Sequence, residues 1–392
     1  MLKILCTLNV NIFVKLFNII FKYGVFPELW RVNYIKPIFK GGCFNDPNNY
    51  RGVAISSCFA KLFLKILNNR LDTFLEEKNI LYNGQIGFRK KCRTSDHILT
   101  LKTLIDKAFK SSKRLYACFV DLKKAFDTVN RKALMHKISG LGINSNFLNI
   151  MEDMYREVKY SIKMEEGITD EFNSKVGLKQ GCILSPSLFS LYINDLSESL
   201  DDQICDSPKI DLCSIPCLLY ADDIVLLSES PTGLQFSLDR LHQYCSNWDL
   251  QVNINKTKVM IFNKGGRLLK NTHFKFDGNY IDCTNEYKYL GILFKPSGSF
   301  TAAVEFLCKK ASKAIFSLRK SFLSEFMNIP PQLKLFEACI KPILLYCSEI
   351  WSLDLIIKEK KSIEERYFLF PPVKVQIKFL KYLLGVNKGQ SI

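Results

Sequence analysis

Two rhythms of apolar and polar residues run along the chain. Leu8, Ile12, Leu16, Ile19 and Ile20 recur near the helical period, which predicts an amphipathic helix stopping at Gly24 and Pro27. The spacing of Leu62, Phe63, Ile66, Leu67, Leu71, Phe74 and Leu75 predicts a helix over 60–77, and another is expected over 95–109, capped by Thr94 or Ser95. Short apolar runs read instead as strands: 34–39, 115–122, 217–219, 224–227, 259–262 and 287–294. Helical patterning returns at 124–138, 233–248, 303–322 and 331–346, and a Gly-, Asn- and Pro-rich surface loop covers 41–52. With no internal repeat and no long low-complexity linker, the parts are expected to pack against one another.

Length adds that one core is not enough. At roughly 100–200 residues per domain, 392 residues call for two or three subdomains. A chain that is 47% hydrophobic, 12% aromatic and 24% charged can bury ordinary cores, which excludes disordered, collagen-like and coiled-coil classes. The apolar N-terminus is interrupted by Lys15 and Lys22 and lacks a small-residue cleavage site, so it does not read as a signal peptide. No other run stays apolar for the roughly 18 residues that a spanning helix needs, and a soluble protein without a membrane partner is expected. The fourteen cysteines are scattered, and Cys205, Cys213 and Cys217 lack both a CxxC pair and a neighbouring His, so neither structural zinc nor disulfides are expected.

Charge narrows the partners. The net +17 is uneven: residues 1–120 hold 20 basic and 7 acidic side chains, 121–260 hold 14 and 20, and 261–392 hold 21 and 11. Basic flanks around an acidic middle suit a protein that neutralises phosphates at its ends and gathers carboxylates for metal ions between them.

The acidic middle contains the candidate chemistry. Asp121 ends one apolar run, and Asp222 and Asp223 interrupt another, at the turn of an expected hairpin. Carboxylates at adjacent strand ends can hold two divalent ions, one activating a 3′ hydroxyl and one holding a leaving pyrophosphate. An Asp pair after a strand more commonly just caps a turn; the surrounding text decides between the two.

Phe119-Val120-Asp121-Leu122-Lys123-Lys124-Ala125-Phe126-Asp127, then Gly177-Leu178-Lys179-Gln180-Gly181-Cys182-Ile183-Leu184-Ser185-Pro186, then Tyr220-Ala221-Asp222-Asp223 resemble, in order, three polymerase motifs of non-LTR (LINE-type) retrotransposon reverse transcriptases. Ile35 to Lys40 with Asn49-Tyr50-Arg51-Gly52, and Gln85 to Arg89 with Arg93-Thr94-Ser95-Asp96, resemble the family's fingers motifs. Asn255-Lys256-Thr257-Lys258 with Met260 and Phe262, and Tyr287 to Gly291, resemble its last palm motifs, while Phe336 to Trp351 is similar to its thumb.

The resemblance implies roles that physics can examine. Asp121, Asp222 and Asp223 would be catalytic and hold two Mg2+ ions, or Mn2+ in their place. Phe126 would exclude a 2′ hydroxyl by bulk, while also serving the core. Gln180 and Gly181 would approach the incoming base pair, where glycine lets backbone come close and glutamine can bond sugar or phosphate. Tyr220 would line the substrate site. Lys36 and Arg51 would meet the triphosphate, Lys256 or Lys258 would protonate pyrophosphate or contact phosphate, and Arg89, Lys90, Lys91 and Arg93 would contact template backbone or form a solvated loop. His97, His136, His242 and His273 are isolated and read as ordinary surface or core residues.

The expected fold is α+β: a right hand with helical fingers, an antiparallel ferredoxin-like palm sheet and a partial helical thumb. Its expected parts are an N-terminal segment and fingers over 1–114, a palm over 115–295 with interleaved fingers-side helices, and an incomplete thumb over 296–392. The expected function is an RNA-directed DNA polymerase using an RNA template, a DNA or RNA primer and deoxynucleoside triphosphates. No endonuclease or zinc knuckle is visible, so the chain reads as a truncated mobile-element open reading frame; the alternative is a degenerate reverse-transcriptase-like RNA-binding protein. The resemblance implies a nuclear site of action, though no targeting signal fixes a compartment and nothing in the sequence fixes the oligomeric state.

Overall fold

The computed structural model describes residues 10–200, 203–267, 272–321, 328–357 and 370–386. In chain order its strands are β1 (Val32–Phe39), β2 (Tyr50–Ile55), β3 (Leu115–Asp121), β4 (Val158–Ile162), β5 (Phe172–Ser174), β6 (Lys209–Ile210), β7 (Cys213–Ser214), β8 (Cys217–Tyr220), β9 (Asp223–Ser228), β10 (Lys258–Phe262), β11 (Phe274–Phe276), β12 (Asn279–Cys283), β13 (Tyr287–Tyr289) and β14 (Ile292–Phe294). The six-stranded palm sheet has the order β11-β12-β10-β3-β9-β8, and the four-stranded fingers sheet has the order β2-β1-β4-β5. The palm's inner strands β10, β3, β9 and β8 are antiparallel throughout; β12 joins β10 in parallel. The chain has the expected α+β, right-hand architecture.

Strand alternation explains why the inner palm strands read as unbroken apolar runs: both faces are covered. Tyr116, Cys118 and Val120 of β3, with Ile224 and Leu226 of β9, enter one core, completed by helices 131–139, 185–192 and 231–247. Leu115, Ala117 and Phe119, with Val225 and Leu227, enter a second core against helix 94–110, hairpin β13–β14 and helix 301–321. A third, small cluster joins helix 301–321 to Phe336, Ile340 and Phe379 of the thumb-like region.

Several elements differ from the sequence reading, each for a local reason. The loop expected to run to Gly52 gives way at Tyr50 to β2, which pairs with β1 from Phe39↔Tyr50 to Tyr34↔Ile55. The single helix expected over 124–138 is two, 125–128 and 131–139; Lys124 sits at φ 47°, and Asn130 caps the second by accepting from the Lys132 and Ala133 N–H groups. The strand expected over 287–294 is a hairpin that turns at Leu290 (φ 43°) and Gly291 (φ 87°). The helix expected over 331–346 begins at Ile329 and widens to a π-turn at 336–340, just before Pro342, whose ring nitrogen cannot donate to the preceding turn. Helix 94–110 begins at Thr94, and its tie comes from Asp96, whose carboxylate accepts the Arg93 N–H at 2.7 Å. Helix 145–156 and strands β4, β5, β11 and β12 were not expected, and helices 348–357 and 371–383 fall in the region read as thumb without bounds of their own. Residues 1–9 and 322 lie outside the described residues. No described helix is long and apolar enough to cross a membrane.

Candidate active site

The two carboxylate segments meet at one end of the palm sheet. In the β3–β9 ladder Asp121 stands directly opposite Asp223. Paired residues project to the same face, so both side chains leave on the side of the second core, about 5 Å apart at Cα as antiparallel geometry requires. Tyr220 pairs with Asp223 across β8–β9, leaving Ala221 and Asp222 as a two-residue turn. Ala221 takes φ 55° there, a left-handed conformation that an alanine adopts only under constraint. The constraint is visible: Gly87 of the loop before helix 94–110 is packed so tightly on the turn that a Cβ at that position would stand 2.4 Å from the Ala221 nitrogen.

The end of β3 is held from the other side by the Asn253–Thr257 turn. The Asp121 carbonyl accepts the Asn253 N–H at 2.7 Å, and the Asp121 N–H donates to the buried Thr257 hydroxyl at 3.2 Å. That turn brings Lys256 across from Asp121, Nζ to Oδ2 at 3.8 Å. Lys258 is two residues further along β10, where it pairs with Asp282 at 2.6 Å. Of the two lysines left open by the sequence, Lys256 is the one that faces Asp121.

Three negative charges in one place have an electrostatic signature. Although Asp223 reaches solvent, burial of its carboxyl, followed by the charges of Asp222 and Asp121, pushes it up to about 6. Below the carboxylates lie Tyr287, stacked on Phe119 at 4.2 Å, and fully buried Tyr289. Burial, then the Asp223 charge, raises both phenols, that of Tyr287 to about 12. Among the described residues no group of three or more His, Cys, Asp or Glu side chains stands placed to hold a metal ion by itself. The donor set is nonetheless all carboxylate, which suits a hard cation such as Mg2+, an ion that keeps several waters and takes phosphate oxygens beside one or two protein ligands. It is this all-carboxylate donor set that fits such an ion; the rise at Asp223 comes first from burial and only then from the Asp222 and Asp121 charges.

The Gly177–Gly181 loop is fastened to the segment after β3. The Gly177 N–H donates to the Val129 carbonyl at 2.9 Å and the Leu178 N–H to the Phe126 carbonyl at 2.7 Å. Gly177, at φ 82°, lies against the Asp127 backbone where a Cβ would stand 2.5 Å from its carbonyl oxygen. Arg131, buried under the loop, holds the carbonyls of Ser174, Val176 and Gly177. Phe126 is half-buried and stacks on Phe189 at 4.7 Å, so its ring packs on the core. Gln180 reaches two neighbours: its Nε2 donates to Asp127 at 2.6 Å and its carbonyl accepts the Ala54 N–H of β2 at 2.8 Å, docking the fingers sheet on the palm. Gly181, at φ 95°, lets the chain pass the Ala54 carbonyl.

The expected cations divide. Lys36 and Arg51 are exposed, make no ion pair among the described residues, and share one face of the β1–β2 hairpin, since Lys36 pairs with Val53 and Arg51 with Ile38. Lys90, Lys91 and Arg93 are exposed. Arg89 is placed otherwise: two of its nitrogens meet the Glu76 carboxylate at 2.8 Å each and a third bonds the carbonyls of Tyr82 and Gln85, so it braces the loop that carries Gly87. Tyr220 has its ring 6.4 Å from exposed Phe88.

His97, read from sequence as ordinary, is a buried tie. Its Nε2 lies 3.0 Å from the Gly84 carbonyl, which can only accept, so Nε2 donates and Nδ1 accepts the Tyr289 hydroxyl at 3.0 Å. Burial pushes the imidazole down to about 4, which keeps this tautomer neutral. Arg131 and His97 stood in no motif because their work depends on partners far along the chain, and Thr257 stood in one without a role of its own.

Comparison with known proteins agrees with this geometry. A family model described as "Reverse transcriptase (RNA-dependent DNA polymerase)" matches residues 38–294. The chain is 26% identical over 346 residues to a protein named probable RNA-directed DNA polymerase from transposon BS of Drosophila melanogaster, covering 86% of this chain and 38% of that protein. It is 27% identical over 283 residues to the Pol polyprotein of a type-1 retrotransposable element R2 of Popillia japonica, covering 70% and 39%. The chain therefore spans about two-fifths of the length of these relatives. Among solved structures, apo telomerase from Candida tropicalis aligns with a TM-score of 0.50 at 15% identity, over 94% of this chain and 69% of that one, which is a likeness of fold.

Proposed function

Because the chain belongs to the reverse transcriptase family, we propose that it is an RNA-directed DNA polymerase of the non-LTR retrotransposon type, adding deoxynucleotides to a primer 3′ end. The observation that carries this reading is the register that sets Asp121 against Asp223 beside the Asp222 turn, with Lys256 facing them. RNA template, DNA or RNA primer and deoxynucleoside triphosphates are its partners, and Mg2+ its metal.

Asp121, Asp222 and Asp223 would hold the metal, which when bound stabilises negative charge on the phosphates and the primer oxygen. The chain's own contributions are separable. The Ala221–Asp222 turn and the β3–β9 ladder fix the carboxylates relative to each other. Lys256 offers an exposed ammonium beside them, placed to neutralise or protonate the departing pyrophosphate. Lys36 and Arg51, on one face of a hairpin docked to Gln180, supply charge to the triphosphate. Phe126 sits over Phe189, so its ring cannot withdraw from a 2′ hydroxyl.

The decisive experiment is extension of a DNA primer on an RNA template with Mg2+, comparing the protein with Asp222→Ala. Extension by the parent alone supports the polymerase. A folded protein that binds primer and template yet extends nothing in either form would overturn it in favour of a binding protein.

Two further results are expected in that assay. Lys256→Ala should lower the rate of incorporation by about 10- to 100-fold, in the range of general-acid contributions, while Lys258→Ala stays near the parent; the reverse order would show that position at the carboxylates is not what matters. Phe126→Ala should admit ribonucleotides, read as the ratio of ribo- to deoxynucleotide incorporation. No change in that ratio would leave Phe126 a core residue only.

A further inference from the structure

We infer that His97 is a positioning residue for nucleotide addition, a strut with two ends that holds the Ala221–Asp222 turn at a fixed distance from the β13–β14 hairpin. The inference rests on the polymerase reading and deepens it, by assigning a rate effect to a residue whose hydrogen bonds go to Gly84 and Tyr289 and not to the carboxylates.

One end of the strut is at the turn. The Gly84 carbonyl accepts twice, from His97 Nε2 at 3.0 Å and from the Leu219 N–H at 2.8 Å. Leu219 stands on β8 two positions before Ala221, and its own carbonyl accepts the Ile86 N–H at 3.1 Å. The imidazole therefore grips a carbonyl that already anchors the strand feeding Asp222.

The other end is at the hairpin. Nδ1 accepts the Tyr289 hydroxyl at 3.0 Å, and the two rings lie nearly parallel, 6.5 Å apart and inclined by 14°. Tyr289 pairs with Ile292 across the hairpin, and its ring lies 5.6 Å from that of Phe119, two residues before Asp121 on β3. The hairpin's turn is held from the same first turn of helix 94–110. Tyr346 donates its hydroxyl proton to the Leu290 carbonyl at 2.8 Å, and with that proton spent it accepts from the Thr94 hydroxyl, also at 2.8 Å. Thr94 and His97, three residues apart, share one face of the helix.

Nothing else can take over either bond. His97 is 2% exposed, so water does not substitute for Gly84 or Tyr289, and burial keeps the ring neutral with one nitrogen to donate and one to accept. A histidine that only filled space would need neither bond.

The two ends can be cut separately. An asparagine side chain ends near the place of Nδ1 and a glutamine reaches that of Nε2. His97→Asn thus keeps an acceptor for Tyr289 and loses the bond to Gly84, whereas His97→Gln keeps a donor for Gly84 and loses the bond to Tyr289. Single-turnover addition of one deoxynucleotide to prebound primer and template, with the Kd for each substrate and the Tm measured alongside, reads the result. Each substitution should lower the maximal rate about 10-fold with both Kd values within about 2-fold of the parent, because a strut cut at either end no longer fixes the spacing. Tyr289→Phe should cost about the same, and the His97→Gln/Tyr289→Phe pair should cost no more than either change alone, since both remove one bond.

A fall in Tm with the rate intact, a loss carried by substrate affinity, additive losses in the pair, or variants that do not fold would each show a residue of the core only and overturn the inference, leaving the polymerase standing. Failure of the parent protein to extend any primer would instead remove the reading on which it rests.

Discussion

Asp121→Asn should lower primer extension by about 1,000-fold or more, a loss of about 4 kcal/mol in transition-state stabilisation and the scale expected when a group holding a catalytic cation is neutralised. The fold should survive, because Asp121 is anchored through its backbone, to Thr257 and Asn253, and the amide keeps the side chain's size. The same substitution should make the metal-free protein more stable. Asp223 is raised to about 6 by burial and then by its acidic neighbours, so between about 4 and 6 the folded state binds its proton more tightly than the unfolded state does. Stability present at low pH is therefore lost as pH rises through about 6, and removing the Asp121 charge removes part of that loss. In chelator, the rise in Tm for Asp121→Asn should be larger at pH 7.5 than at pH 4. An inactive variant that melts lower at pH 7.5 would show that the charges at this strand end are not held against their own repulsion.

Gly87→Ala should cost about 100-fold in kcat while primer–template binding changes by no more than about 2-fold. The added Cβ would meet the Ala221 nitrogen at 2.4 Å and the Tyr220 carbonyl carbon at 3.1 Å, so backbone has to move. The loop itself has little room to yield. Ile86 donates to the Leu219 carbonyl, Leu219 donates to the Gly84 carbonyl, and Arg89 braces the segment against Glu76. The Ala221–Asp222 turn is what gives, and on the proposed function a displacement of about 1 Å at a reacting centre is worth about 100-fold in rate. Gly140→Ala is the control: its Cβ would meet nothing closer than 3.7 Å. Equal activity of the two variants would show that the turn tolerates displacement. A fall in binding that matches the fall in rate would show that Gly87 acts through the nucleic acid instead.

The acidic centre of the site was legible in the sequence because each aspartate ends or interrupts an unbroken apolar run, and such runs announce buried strands. That the runs are neighbours is a property of the sheet, and here the motif resemblance supplied what periodicity could not. Lys256 and Lys258 were indistinguishable in sequence, since two residues apart in a lysine-rich turn they differ only in where the turn of 253–257 points them. Arg89 read as a free cation because Glu76, its partner, belongs to a separate helix. His97 read as ordinary because burial and tautomer are set by Gly84 and Tyr289, the latter 192 residues away. The elements missed were those with weak local patterns: β4, β5, β11 and β12 are three to five residues long and owe their existence to neighbouring strands. The break at Lys124 was hidden because a non-glycine residue holds the left-handed turn, whereas the Leu290–Gly291 turn does carry a glycine that the strand reading passed over.

The fingers sheet is assembled from both sides of the first palm strand: β1 and β2 precede β3, while β4 and β5 follow it, and β1 runs parallel to β4. The join is sealed by the Phe26 N–H and the Arg31 guanidinium, which both meet Asp153, the first of them 127 residues away. A nascent chain emerging at about 5–20 residues per second therefore carries β1 and β2 as an orphan hairpin for several seconds. Its partner strand does not yet exist, and the palm sheet is incomplete until β12. Such long-range pairing slows folding and leaves the hairpin's apolar surface open to misassembly while the partner strand is awaited.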